Sequence, residues 1–159
     1  MSQRITLLQR ALELVPSRLS AISNEHAATR SGESKWSPKE ELGHLLDSAC
    51  NNHQRIVRAV LQENPAMPGY EQRAWVEMHG YQQRDWQELI ELWAALNRQL
   101  LAAASGVPAA AWTRFLTVAT SQPVTLQFVF EDYLDHMFHH LEHIGIEITD
   151  LRTVTAAAD

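Results

Sequence analysis

Cysteine is nearly absent from the 159-residue chain. Cys50 stands alone, which excludes an intrachain disulfide and any thiolate metal cluster. An excess of basic charge is absent as well: 13 Lys and Arg face 19 Asp and Glu, for a net charge of −6. A nucleic-acid partner needs a basic face, so none is expected. No apolar run approaches the ~18 residues of a membrane span. The opening MSQRITLLQR has neither the apolar core nor the small-residue cleavage site of a secretory leader, so the cytoplasm is the expected location. Phosphate loops and dinucleotide fingerprints are missing too.

The remainder is ordinary globular sequence, 45% hydrophobic and 20% charged. Its apolar residues recur at helical spacing in four long segments. The first runs from Ser2 to Ile22 through Ile5, Leu8, Leu12, Val15 and Leu19, and Pro16 is expected to kink or split it. The second starts at Trp36-Ser37-Pro38-Lys39-Glu40, where Ser37 and Glu40 have the spacing of a capping box, and extends to about Gln62. The segment Asn64–Tyr81 reads as a long connection with a helical turn near Ala74–Met78. Its Tyr70, Trp75, Met78 and Tyr81 could line a pocket or seal the bundle end. The third helix covers Asp85–Ala104 and the last Leu126–Ile148. Thr113–Ala119 has weak β character with too little chain around it for a real sheet. Residues Thr149 to Asp159 read as a frayed tail. These segments predict an all-α four-helix bundle, with a single domain over residues 1–150 and a tail over 151–159.

The chemistry concentrates in the last helix, which carries His136, His139, His140 and His143 within eight residues. With 8 histidines in 159 residues, chance alone gives roughly 0.4 pairs at i, i+4, so one HxxxH is a weak motif. Geometry ranks the four. His136 and His140 share a face that borders the apolar stripe, while His139 and His143 point further toward solvent. A third ligand must then come from another helix. His44, on the polar stripe of the second helix with Asp47 and Ser48, is one choice and has about even odds on periodicity alone. His53, within the apolar stripe, reads as a buried hydrogen-bonding histidine. His26 and His79 read as surface loop residues, and Cys50 as a small buried one. Trp36 could staple onto Leu42 or a neighbouring helix.

Two stretches resemble signatures of the DinB/YfiT-like superfamily. Trp36-Ser37-Pro38-Lys39-Glu40-Glu41-Leu42-Gly43-His44-Leu45-Leu46-Asp47-Ser48, with Asn51 after it, is similar to the second-helix motif. Asp135-His136-Met137-Phe138-His139-His140-Leu141-Glu142-His143-Ile144 is similar to the last-helix motif. The resemblance implies a four-helix bundle, often a homodimer, with His44, His136 and His140 holding a divalent ion: zinc, nickel or iron. It also implies a metal-dependent enzyme acting on a small electrophilic substrate, either a thiol-dependent S-transferase or a hydrolase. The Asp47, Ser48, Asn51 pattern is closest to the bacillithiol-transferase branch, whose co-substrate is a low-molecular-weight thiol. The alternative is a non-catalytic bundle that only binds metal or dimerises. Glu40 and Asp47 are the candidate proton carriers, and Glu131 and Asp135 are candidates to orient a ligand imidazole.

Overall fold

The computed structural model describes residues 1–152. Four long helices form the bundle: α1 (Ser2–Ser20), α3 (Pro38–Leu61), α5 (Trp86–Ser105) and α6 (Leu126–Ile144). Short helices α2 (Asn24–Ala27), α4 (Gln72–His79) and α7 (Thr149–Arg152) join or close them. Helix α5 packs on both α1 and α3, and α6 packs on α3. Helix pairing therefore departs from chain order, and it sets α3 beside α6. No helix among the described residues is long and apolar enough to cross a membrane.

The helix starts follow their caps. Ser37 accepts from the Glu40 amide at 3.3 Å while Glu40 Oε2 accepts from the Ser37 amide at 2.9 Å, completing the capping box. Asp85 and Thr125 cap α5 and α6 in the same manner, accepting from Glu88 N and Phe128 N. Pro16 does not split α1, which runs on through it. Proline removes a single amide donor there, and burial of Leu8, Ala11, Val15 and Leu19 holds the helix together on both sides.

Helix α6 ends four residues before the expected Ile148. Gly145 takes φ 95°, its amide donates to Glu142 O, and the Ile146 amide reaches back to Leu141 O at 2.9 Å. This is a Schellman stop. The i, i+4 spacing of Ile144 and Ile148 suggests continuation, but both residues are buried from different elements. Thr149 to Arg152 form α7 against α1 rather than a frayed tail. Leu151 is buried, and Arg18 grips Asp150 through two bonds of 3.0 and 2.6 Å. Residues 153–159 of the expected tail lie outside the described residues.

A small sheet also forms, against expectation. Strand β2 (Phe115–Val118) pairs in parallel with β1 (Ala66–Met67) and antiparallel with β3 (Val124–Thr125). The connection after α3 supplies the missing partner, a pairing between residues about fifty apart that local patterning does not reveal. The expected turn at Ala74–Met78 is the two-turn helix α4, stopped by Gly80 at φ 61°.

Candidate metal centre

Helix α3 enters the bundle with Glu41, His44 and Asp47 one turn apart, and all three are buried. Across the seam, α6 presents His136 and His140 one turn apart. The ligand nitrogens of His44, His136 and His140 all lie within 4.8 Å of one another. His44 Nε2 and His136 Nε2 stand 3.0 Å apart. Ligands of a tetrahedral ion at Zn–N distances of about 2.0–2.1 Å lie ~3.3 Å apart, so this pair is close to coordinating separation.

The centre favours the neutral form of His44 and His136. Burial pushes His44 down to about 3, and the neighbouring His136 and His140 add to the shift. Burial likewise pushes His136 down to about 4, with charge from His140, His139 and Arg55 contributing. A neutral imidazole is the form that ligates a cation. Three imidazole donors from two packed helices suit a divalent ion and leave coordination positions open.

Orientation differs among the three. Glu41 Oε2 accepts from His140 Nδ1 at 2.5 Å, which fixes the tautomer and leaves the His140 Nε2 lone pair free. His44 Nδ1 and His136 Nδ1 are buried without a hydrogen-bond partner among the described residues, so neither has a carboxylate like Glu41 behind it. The role expected of Glu131 and Asp135 thus belongs to Glu41. Those two acids instead face Arg4, at 4.0 and 3.4 Å. Periodicity offered one clue to Glu41: it stands one turn before His44 on the face that meets α6.

Glu41 Oε1 also lies 3.5 Å from His143 Nδ1, so Glu41, His140 and His143 form a second close group sharing His140. His143 is exposed and its ring meets exposed His139 edge-on, with centroids 4.2 Å apart and an interplanar angle of 61°. Trp36 covers the centre, with its ring 5.1 Å from His44 and 6.4 Å from His140, so it reaches the neighbouring helix α6, one of the two contacts expected of it.

The two candidate proton carriers have different surroundings. Both Glu40 oxygens are engaged, by Arg30 and by the Ser37 amide. Its carboxyl sits below the ordinary value: burial raises it, and Arg30 and Ser37 outweigh burial. Asp47 Oδ1 accepts from Tyr81 Oη at 2.7 Å and lies 3.0 Å from His79 Nδ1, while Oδ2 is buried with no partner. Burial raises its carboxyl against the opposing pull of Tyr81 and His79. His79, expected at the surface, is therefore half-exposed and tied to a buried carboxylate. Gly43 permits this arrangement, because a Cβ there would stand 2.1 Å from Tyr81 Cδ2. Two further expectations change. His53 is only partly buried, because Asn52 takes the interior position beside it, and Cys50 is exposed on the outer face of α3. His26 lies exposed within α2.

The DinB superfamily model matches residues 7–144. The chain is 27% identical over 144 residues to "Putative metal-dependent hydrolase YfiT" of Bacillus subtilis, covering 84% of this chain and 78% of that protein. OB0782 of Oceanobacillus iheyensis, of the same designation, is 24% identical over 123 residues, covering 77% of this chain and 71% of its own. Among solved structures, YfiT superposes with a TM-score of 0.69 at 21% identity over 92% of this chain and 90% of that one. The mycothiol-dependent maleylpyruvate isomerase superposes with a TM-score of 0.76 at 15% identity, covering 94% of this chain and 65% of the isomerase. At these identities the superpositions establish a shared fold.

Proposed function

The chain belongs to the DinB superfamily, and on that premise we propose that it is a metal-dependent enzyme with His44, His136 and His140 as its ligands. The observation that carries the reading is the meeting of three imidazoles from α3 and α6, with ligand atoms within 4.8 Å. The metal-dependent hydrolase designation of its relatives supports the same view. When bound, a zinc, nickel or iron ion supplies Lewis acidity that activates a water or thiol nucleophile near neutral pH.

The protein's own residues do the rest. Glu41 holds His140 in the ligating tautomer. Trp36 shields the centre from bulk water on one side. Asp47, with one free buried oxygen and a half-exposed His79 against the other, is suited to take a proton from the nucleophile and release it to solvent. Glu40 is less suited, since both its oxygens are engaged. Within this reading the reaction is thiol-dependent S-transfer or hydrolysis on a small electrophile, in the cytoplasm and as a homodimer. The mycothiol-dependent isomerase of the same fold favours the thiol branch.

Elemental analysis of protein purified without an affinity tag, beside His44→Ala, His136→Ala and His140→Ala, tests the ligands. Stoichiometric metal in the parent and its loss from each variant is expected; full occupancy in all three variants rejects the site. A panel of electrophiles with and without several thiols then separates transfer from hydrolysis. Bound metal without turnover across that panel leaves the reading in which the ion only stabilises the bundle.

A further inference from the structure

Beyond His44, α3 carries a line of polar side chains that metal binding does not use. Ser48 and Asn52 are both buried, and Asn52 Nδ2 donates to Ser48 O at 2.9 Å and to Ser48 Oγ at 3.3 Å. Asn52 Oδ1 accepts in turn from Arg55 Nη1 at 3.2 Å. Two buried neutral residues thus aim a partly buried guanidinium. Among the described residues, no carboxylate oxygen lies within 4.0 Å of it. Asp132 and Tyr70 act on it only at longer range, and burial lowers its pKa against their pull. Arginine stays charged regardless. A desolvated cation without a close counter-charge is costly, and an ion pair within the fold does not account for this one.

Arg55 opens onto a cleft of about 270 Å³. Arg58, Asn51 and Gln54 line the same side of it, and residues 66–68 form the facing wall. No acid lines this cleft, although the chain carries 19 acidic residues against 13 basic ones. Arg55 is also close enough to the metal centre for its charge to act on His136. The guanidinium therefore links a cationic cleft to the proposed reacting centre.

We infer that Arg55, assisted by Arg58, seats a carboxylate of the small molecule that reacts at the three-histidine centre. This deepens the proposed function and rests on it. The planar fork of a guanidinium matches a carboxylate, and its fixed direction orients as well as attracts. The carboxylate can belong to the electrophile or to the thiol, and the chemistry of the seat is the same for both.

The test uses the whole protein, first stripped of metal so that no ion competes for the probe. Sodium succinate is titrated while the backbone amide resonances of Asn51, Gln54, Arg58 and Met67, which line the cleft, are followed by NMR in every variant, together with the Arg55 Nε–Hε resonance in the parent, with dimethyl succinate and matched sodium chloride as controls. A saturable shift with succinate alone is expected. Arg55→Gln should weaken succinate binding about tenfold or more, Arg55→Lys less, and Arg58→Gln least. No saturable shift, or unchanged affinity in Arg55→Gln, overturns the seat. In the metal-loaded enzyme, Arg55→Gln raises KM for whichever partner carries the carboxylate: the electrophile when the thiol is neutral, or the thiol when the electrophile is neutral. Unchanged KM in both pairings overturns the link to the centre. Metal uptake when the same samples are reloaded separates the two claims. Arg55→Gln should take up metal as the parent does. Parent protein that takes up metal but shows no succinate shift overturns the seat alone; parent protein that takes up none removes the proposed function itself.

Discussion

The seam between α1 and α5 and the seam between α3 and α6 use the same helix geometry with opposite chemistry. The first is filled by Leu8, Ala11, Val15 and Leu19 against Leu89, Ile90 and Trp93, all buried. The Trp86 indole adds a bond to Leu19 O at 3.0 Å. The second buries Glu41 and His44 on α3 opposite His136 and His140 on α6, with Asp47 one turn on; among the described residues it leaves two ring nitrogens and a carboxylate oxygen unpartnered, against the single indole nitrogen of Trp93 in the first. Apolar burial stabilises the first seam, whereas the second carries desolvated polar groups whose cost a bound cation can offset. Stability and chemistry are thus divided between two sides of one bundle, which makes the division testable by substitution.

The largest contrast should come from truncating each seam. Leu8→Ala removes a fully buried side chain and is expected to cost about 2–5 kcal/mol in chemical denaturation while leaving metal stoichiometry unchanged. His44→Ala should do the reverse: metal is lost, and the metal-free fold keeps its stability or gains some. If Leu8→Ala abolishes metal binding in protein that circular dichroism shows to be folded, the division is wrong.

Gly43→Ala comes next. The new methyl must displace the Tyr81 ring, at an expected cost of about 1–3 kcal/mol. It should also release Asp47 from Tyr81, so that turnover falls while metal content holds. Turnover that falls only in step with the folded fraction would separate Asp47 from the chemistry. Glu41→Gln should weaken metal affinity about 10–100-fold, because His140 loses the carboxylate that sets its tautomer. Competition with a chromogenic chelator measures this, and unchanged affinity would reassign Glu41 to packing.

The pH dependence of the metal-free protein tests the same contrast without substitution. His44 and His136 have folded-state values depressed to about 3 and about 4, from 6.5. Between pH 6.5 and 4 the unfolded chain therefore binds protons that the folded one does not, so stability falls as pH falls through that window. Bound metal should flatten the decline down to the pH at which protons displace it, and His44→Ala should reduce it. Equal slopes in the parent and His44→Ala would show that His44 is not held neutral by the fold.

The same contrast explains what the sequence made legible. Apolar periodicity marked all four long helices and the capping box marked the start of α3, because hydrophobic faces and caps are local features. The strand pairing of β1 with β2 and the stop at Gly145 ran against local patterning: the first depends on a distant partner and the second on a single backbone conformation. At the site, spacing alone selected His136 and His140, and resemblance added His44. Glu41 and His79 were missed because their roles depend on which side chain faces them across a seam, which no single helix records.

The central claim is that three imidazoles from α3 and α6 close on one ion. X-ray absorption at the metal edge, on protein purified without a tag, tests it most directly. The account expects about three imidazole scattering paths near 2.0–2.1 Å for zinc, without sulfur, and fewer such paths in His44→Ala. A spectrum without imidazole scattering, or one that His44→Ala leaves unchanged, would contradict it.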